Sequence, residues 1–148
     1  METNSTTEQR HSRPAPLEGT AREILAEGKN YAIVSIPRKD GTIQSVIVWA
    51  SVDESGNIEV NSAEGRAWPT NLRRARTATV TAMKDNNPYH YVAVTGRLIA
   101  DTHEGADEHI DFLAKKYIDA DSYPFRQPGE QRIKFGLSPE KVSYVNQG

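Results

Sequence analysis

The 148-residue sequence predicts a mainly β fold, a small antiparallel barrel of six or seven strands with two or three flanking helices. Most of the chain divides into short apolar or alternating segments, which are typical of strands. Compact turns join several of these segments, including Asp40-Gly41, a pair that tight hairpins favour. In contrast, few segments have the spacing of apolar residues that an amphipathic helix needs.

The N-terminal part of the chain is predicted to be a flexible tail followed by a short helix. Residues 1–16 contain no large apolar side chain after the first residue, so they bury too little surface to offset the entropy of ordering. Apolar residues from Leu17 to Leu25 recur with helical spacing, and Gly28 is typical of a helix end. We therefore expect a tail over 1–16 and one barrel domain over 17–148.

The strand candidates follow one another closely, which predicts antiparallel pairing. Gly96 lies inside one of them and indicates a bulge or bend of the kind that closes barrels. The predicted strands are residues 31–36, 42–52, 58–62, 77–83, 89–100, 132–137 and 142–145.

Two further helices are predicted between these strands. Pro69 suits the first turn of a helix, where its missing N–H costs nothing. Thr102 is the expected N-cap of the last helix, in which acidic residues precede Lys115 and Lys116 in the order that the helix dipole favours.

Composition excludes several classes of protein. The chain has no cysteine, which rules out disulfide scaffolds, cysteine-ligated zinc and thiol nucleophiles. Apolar stretches of about four to six residues are far shorter than the roughly 20 needed to cross a bilayer, and the N-terminus lacks the apolar centre of a secretory signal. We expect a cytoplasmic protein without a membrane partner. A net charge of −2 and a pI near 6.1 provide no general basic field for nucleic acid.

The strongest candidate site is the turn at residues 64–76, before the second helix. Its four arginines and one glutamate leave a local charge of +3 in a chain whose net charge is −2. Backbone N–H groups that open a helix attract anions, and Arg66 could bind a phosphate or carboxylate while Asn71 adds a neutral donor. The other three arginines could equally form a solvated helix face, as most charge runs do. The patch is short and lacks interleaved aromatic residues, which disfavours nucleic-acid binding.

Other chemistry-bearing residues form no recognisable catalytic or metal site. His103 and His109 are six residues apart and fall on nearly opposite faces of a helix, so they cannot chelate one metal together. The spacings of a serine-hydrolase elbow, a dinucleotide fold and a P-loop are all missing. Trp49 and Tyr91 could stack on a ligand ring, although aromatic residues on strands are core residues by default. We therefore predict no catalytic residue and no metal ligand.

Several segments of the chain are weak signatures alone, but their order along the chain is fairly specific to one protein family. They are YAIVSIPRKDGTIQSVIVWASVD, SAEGRAWPTNLRR, TATVTA, NNPYHYVAVTGRLIAD, DEHIDFLAKKY and YPFRQPGEQR. Together they resemble the deazaflavin (coenzyme F420)-dependent branch of the pyridoxamine 5′-phosphate oxidase-like, flavin-reductase-like superfamily. The resemblance spans about residues 17–145 and implies a split β-barrel, a homodimer and a cofactor groove at the subunit interface.

The resemblance also implies which residues bind the cofactor. The Gly-Arg-Ala turn and the asparagine after it resemble the family's phosphate-binding stretch, and the strand over 46–49 resembles the one along which the deazaflavin ring lies. Trp68 stands where family members often carry lysine or arginine, so one expected phosphate-binding cation is replaced. Arg126 matches a family position near the subunit interface. The implied cofactor-binding residues are Val48, Trp49, Gly65, Arg66, Ala67, Trp68, Asn71 and Arg126.

The function implied by the resemblance is transfer of a hydride from reduced coenzyme F420 to a small conjugated or quinone-like acceptor. Since the cofactor carries the hydride, no catalytic acid is obligatory. The clustered arginines suit the anionic oligoglutamate tail of F420, which FMN lacks. An FMN-dependent oxidase or reductase of the same fold is one alternative, and a non-catalytic module that binds flavin, deazaflavin or haem is another.

Overall fold

The computed structural model describes residues 15–147, which form seven strands and three helices. The predicted tail lies almost wholly outside the described residues, so both its flexibility and the boundary after residue 16 stay predictions. The helices are α1 (Gly19–Ala26), α2 (Ala67–Ala75) and α3 (Ala106–Ile118). The strands are β1 (Ala32–Pro37), β2 (Ile43–Val48), β3 (Ala50–Val52), β4 (Ile58–Ala63), β5 (Thr77–Lys84), β6 (Asn87–Thr102) and β7 (Arg132–Asn146).

All seven strands belong to one antiparallel sheet in the order β2-β1-β5-β6-β7-β4-β3. Strands β2 and β3 are consecutive in the chain, yet they lie at opposite edges of the sheet. The sheet therefore curls into a half-barrel that is split between these two edges. The prediction of a mainly β antiparallel barrel of six or seven strands with two or three flanking helices is confirmed.

The prediction of one continuous strand over 42–52 is wrong at Trp49. The chain leaves one edge of the sheet at this residue and joins the other edge at Ala50. Side chains of α3 bind the backbone of Ala50: the Tyr117 hydroxyl accepts its N–H at 3.1 Å, and Lys116 Nζ donates to its carbonyl at 2.6 Å. Burial lowers the pKa of Lys116 to about 8. These long-range bonds are invisible in the local alternation of residues 42–52.

The two short strands predicted at the C-terminus are one long strand, β7. Pro139 interrupts the apolar pattern, but it lies opposite Gly96 where the register between β6 and β7 shifts, so its missing N–H is tolerated. This shift confirms the bulge predicted at Gly96. A Cβ atom at Gly96 would lie 3.1 Å from Leu137 Cβ and 3.2 Å from the Ser138 carbonyl oxygen, so a side chain at this position would force its neighbours on β7 to shift.

The prediction that Thr102 caps the last helix is wrong. Thr102 ends β6, and its hydroxyl accepts the N–H of Glu104 in the following turn. Helix α3 begins at Ala106 after Gly105, whose φ of 76° is a left-handed conformation that glycine adopts readily. The two earlier helices agree with expectation, since Pro69 lies in the first turn of α2.

The main core fills the inside of the curled sheet and is covered by α1 and α2. Alternate residues of the central strands point inward, and Phe135 of β7 is fully buried against Trp68 of α2 at a ring distance of 5.7 Å. A second cluster joins Ile110, Leu113 and Tyr117 of α3 to Trp49 and Tyr123. Within residues 15–147 no helix is long and apolar enough to span a bilayer.

Gly96→Ala tests the close approach of β6 to β7. The added methyl group meets the Leu137 side chain and the Ser138 backbone, so we expect a loss of about 1–3 kcal/mol in the free energy of unfolding, as overpacking typically costs. Urea denaturation measures this loss. The exposed β7 substitution Ser143→Ala is the control and should change stability by less than about 0.5 kcal/mol. Equal stability of Gly96→Ala and the wild type would contradict the assignment.

Candidate cofactor-binding site

A cavity of about 270 Å³ opens where β2, α3 and the start of α2 meet. Its walls are mainly aromatic and aliphatic, and its polar lining consists of Asn61, Arg66 and Arg132. The structure brings four of the predicted cofactor-binding residues together in this lining: Val48, Trp49, Arg66 and Trp68.

A second hollow of about 350 Å³ lies at the other side of the α2 N-terminus. It holds two more of the predicted residues, Ala67 and Asn71, with Arg38 and Lys39 from the turn between β1 and β2. The amide of Asn71 donates to the Gln44 side chain at 3.2 Å, which ties α2 to β2. Six of the eight predicted residues therefore divide between two hollows, and the consecutive residues Arg66 and Ala67 line one each.

The Trp49 ring forms a rigid wall of the first cavity. It stacks on Tyr117 at 5.5 Å with planes 8° apart, and Tyr123 meets it edge-on at 6.2 Å. The Tyr117 hydroxyl donates to the Asn30 carbonyl at 2.7 Å. Burial raises the pKa of Tyr117, so the hydroxyl keeps the proton that this bond requires. The wall is thus fixed by hydrogen bonds as well as by stacking.

The turn before α2 is held by a network of charges. Glu64 accepts two hydrogen bonds from Arg73, at 3.1 and 3.0 Å, and one from His103 at 2.6 Å. These bonds lower the pKa of Glu64 to about 2. Arg73 also donates to Asp101 at 2.8 and 3.0 Å, so its guanidinium is committed to the protein. Gly65, which lines neither hollow, makes the tight turn with a φ of 95°.

Two further arginines of the predicted cluster bind backbone carbonyls. Arg74 donates to the Pro37 carbonyl, and Arg76 donates to the Leu98 carbonyl at 3.3 Å. Arg66 differs from both because half of its side chain is exposed and its contact with Glu130 is long, at 3.7 Å. Arg66 is therefore the arginine of this cluster that is best placed for a ligand.

Sequence reasoning missed a second arginine in the cavity, Arg132, the first residue of β7. Its side chain is only 3% exposed, its Nε donates to Asn61 Oδ1 at 2.9 Å, and its guanidinium lies 5.0 Å from the centre of the Tyr123 ring. The available signal was a charged residue at the start of the mostly apolar strand predicted over residues 132–137, at the end of the YPFRQPGEQR segment. Nothing in the local pattern showed that it would point inward.

A buried Ser–His–Asn arrangement lies behind Arg132 but does not form a nucleophile and base. Because Arg132 donates to Asn61 Oδ1, the Asn61 amide nitrogen faces His109 Nδ1 and donates to it at 3.1 Å. The proton of neutral His109 is then on Nε2, which donates to Ser51 Oγ at 2.9 Å. Burial lowers the pKa of His109 to about 4 and keeps the ring neutral. This network positions Arg132 rather than activating Ser51.

Arg126 lines neither hollow. It forms ion pairs of 2.8 Å with Asp107 and Asp111 on α3, and Asp111 also accepts the backbone N–H of Tyr123 at 2.8 Å. Within this chain Arg126 therefore fastens the loop between α3 and β7, and its contact with a cofactor stays a prediction. Residues 15–147 contain no group of three acidic or histidine side chains arranged for a metal ion.

Comparison with known proteins identifies the fold. No protein-family model matches the chain, and the search of curated proteins produced no match. Among solved structures, an F420 reductase has a TM-score of 0.71 and 22% identity over 87% of this chain and 98% of that one. A pyridoxamine 5′-phosphate oxidase-related, FMN-binding protein from Nostoc punctiforme PCC 73102 has a TM-score of 0.62 and 12% identity, covering 89% of this chain and 84% of that one.

General Stress Protein 26 from Bacillus anthracis str. Sterne shares the same architecture, with a TM-score of 0.61 and 12% identity over 84% of this chain and 90% of that one. These likenesses define the chain as a protein with the split-barrel fold. The fold predicted from the resemblance to the pyridoxamine 5′-phosphate oxidase-like superfamily is confirmed. Identities of 12–22% show a shared fold, and they do not assign the activities of the matched proteins to this chain.

The buried His109 predicts a loss of stability in mild acid. Its folded pKa of about 4 is below the ordinary value of 6.5, so the folded state binds fewer protons than the unfolded state. The lowered pKa of His109 contributes about 3 kcal/mol to the free energy of unfolding. This contribution is fully present above pH ~6.5 and is lost as the pH drops towards ~4. Urea denaturation across this range should show His109→Gln losing this pH dependence while the control His90→Gln keeps it. The same slope in all three proteins would contradict a buried, neutral His109.

Proposed function

We propose that the protein is a reductase that binds coenzyme F420 in the first cavity and passes a hydride to a small conjugated or quinone-like acceptor. The observation that carries this proposal is the half-exposed Arg66 beside a cavity with aromatic walls. Trp49 and Trp68 offer flat apolar surfaces for a planar ring, and Arg66 offers a donor for a phosphate. The shared fold with a solved F420 reductase supports the same choice.

The N-terminus of α2 adds donors for an anion. No side chain among residues 15–147 caps this nine-residue helix, so the backbone N–H groups of Ala67 and Trp68 stay available, whereas Pro69 has none. The positive end of the helix dipole reinforces the charge of Arg66. The residues present thus fit the phosphate group that F420 and FMN both carry.

The size of the cavity bears on how the rest of the cofactor would be held. About 270 Å³ lies just under the roughly 300–1,000 Å³ of typical small-molecule pockets and suits a ring system better than a whole cofactor. The second hollow begins next to Ala67 and carries Arg38 and Lys39, whose charges suit an oligoglutamate tail. This second basic surface favours F420 over FMN.

The chain's own residues would act by binding and shielding. Bound reduced F420 would supply the hydride, so the protein needs no catalytic acid. Trp49 and Trp68 would orient the ring, and Tyr123 and Phe125 would restrict water at the side of the loop between α3 and β7. The neutral, Nε2-protonated His109 stays behind Arg132 and takes no part in proton transfer.

The proposed functional unit is a homodimer. The β1–β2 hairpin exposes several apolar side chains on one face: Ile33 and Ile47 pair directly across the two strands, and Ile47 is 72% exposed. Ile47 also lines the cavity, so a second copy covering this face would complete the cavity wall. Burial of this face in a dimer would remove its apolar area from water.

An FMN-dependent oxidase or reductase is the second candidate. The FMN-binding protein from Nostoc punctiforme PCC 73102 has this fold, and Arg66 suits the FMN phosphate equally well. Both tryptophans of the chain line the cavity, so titrations of F420 and FMN can be followed by quenching of tryptophan emission. Tighter F420 binding with oxidation of reduced F420 by quinones supports the proposal. Tighter FMN binding selects the second candidate, and binding without turnover indicates a non-catalytic module.

Arg66→Ala tests the phosphate contact. We expect the affinity for the cofactor to fall by about 1.5–3 kcal/mol, the usual value of a hydrogen bond to a charged group. Calorimetry at low and high salt measures the change, which salt should reduce. The control Arg97→Ala removes the same charge from a half-exposed position on β6 and should leave the affinity unchanged. An unaltered dissociation constant in Arg66→Ala would remove this residue from the site.

Ile43→Glu tests the proposed dimer. Ile43 is 56% exposed on β2 and does not line the cavity, so a charge there should oppose association and leave the fold intact. Light scattering should report a dimer for the wild type and a monomer for Ile43→Glu. Ile99→Glu on β6 introduces the same charge at another exposed apolar residue and should remain dimeric. A monomeric wild type would contradict the proposal.

A further inference from the structure

Glu130 brings a negative charge to the two arginines of the first cavity. Its side chain is only 9% exposed, and one oxygen, Oε2, lies 3.7 Å from Arg66 Nη2 and 3.3 Å from Arg132 Nη1. The three side chains therefore form a row of alternating charge, with the carboxylate in the middle. Both arginines line the cavity.

The hydrogen bonds in this row are incomplete. Within residues 15–147, Glu130 Oε1 accepts no hydrogen bond and Arg132 Nη1 donates none, although both atoms are buried. Burying charged atoms without hydrogen bonds is costly, even when an opposite charge is near. The well-paired Arg73, with contacts of 2.8–3.1 Å to Glu64 and Asp101, shows that the same fold can satisfy an arginine fully. The Glu130 carboxylate is thus weakly bound between the two arginines. An anion that forms more hydrogen bonds with these arginines can replace it.

The two partners of this buried pair differ in how firmly they are held. Arg132 belongs to β7, donates through Nε to Asn61 and packs over Tyr123, so its guanidinium is fixed. Glu130 lies outside the strand, directly after Gly129, in a loop whose residues 124–129 are exposed. Of the two side chains, Glu130 is held less firmly, because it lies outside the strand and its Oε1 accepts no hydrogen bond within residues 15–147.

We propose that Glu130 is a displaceable internal anion that occupies, between Arg66 and Arg132, the position taken by the phosphate of the bound cofactor. This inference rests on the proposed function, because it assigns the phosphate of that cofactor to this cavity. It makes Arg132 a second phosphate-binding residue, which supplies the positive charge that Trp68 does not. Binding then requires Glu130 to turn towards solvent, where its carboxylate regains hydration.

A phosphate is better suited to the position than the carboxylate. It has more acceptor oxygens, so Arg66 and Arg132 can each donate to a different one, and charge-assisted bonds of this type are strong. Arg132 Nη1 is buried and lies 3.3 Å from Glu130 Oε2, so in the proposed binding mode an anion takes this contact only after Glu130 has left it. The affinity of the free protein for phosphate-bearing ligands is therefore lowered by the competing carboxylate.

Glu130→Gln separates this role from a merely structural one. The amide keeps the size of the side chain and removes the competing charge, so we expect FMN and F420 to bind about tenfold more tightly, or about 1.4 kcal/mol. Riboflavin and the deazaflavin chromophore without its phosphate should bind as they do to the wild type. Glu54→Gln makes the same charge change in the exposed turn between β3 and β4 and should alter none of these affinities. Thermal unfolding verifies that each variant is folded, and Glu130→Ser is the substitute if Glu130→Gln is not.

Unchanged or weaker binding of the phosphate-bearing cofactors to Glu130→Gln would overturn the inference. A carboxylate that only positions the arginines does not compete with the cofactor, so its removal would not raise the affinity. An equal gain for riboflavin would also overturn it. If the wild type and Glu130→Gln bind no flavin or deazaflavin, the proposed function fails, and calorimetry with inorganic phosphate decides the inference alone. Tighter phosphate binding to Glu130→Gln then supports a displaceable anion, and equal or weaker binding rejects it.

Discussion

The passage of the chain at Trp49 is the constraint on which the rest of the structure depends. At this residue the backbone leaves β2 at one edge of the sheet and enters β3 at the other, which splits the barrel. Tyr117 and Lys116 of α3 hold both backbone groups of Ala50, and the Tyr117 ring stacks on Trp49. One set of contacts therefore fixes the split, the position of α3 and the aromatic wall of the cavity.

Charge is distributed around this wall so that few cations remain available to a ligand. Arg73 is neutralised by carboxylates, while Arg74 and Arg76 are bound to backbone carbonyls. The arginines facing the cavity, Arg66 and Arg132, meet a carboxylate that satisfies neither of them well. The contrast indicates that Arg73, Arg74 and Arg76 stabilise the turn before α2. Arg66 and Arg132 are the arginines left to bind a ligand.

The sequence pattern predicts a structural feature correctly where neighbouring residues alone determine that feature. The alternation of strands, the bulge at Gly96 and the helix turn at Pro69 each follow from the character of neighbouring residues. Local pattern failed where distant contacts decide, as at Trp49, whose flanking strands look continuous until α3 is in place. Arg132 and Glu130 could not be predicted for the same reason, since burial and pairing across the fold give them their significance. Thr102 has the chemistry of a cap, but Gly105 begins the helix later because β6 extends to Thr102.

A crystal structure of the protein with F420 or FMN tests the central claim most directly. We expect a ring held by Trp49 and Trp68, with the phosphate within hydrogen-bond distance of Arg66. A ring bound elsewhere on the molecule, or a phosphate remote from the α2 N-terminus with Arg66 still beside Glu130, would contradict it.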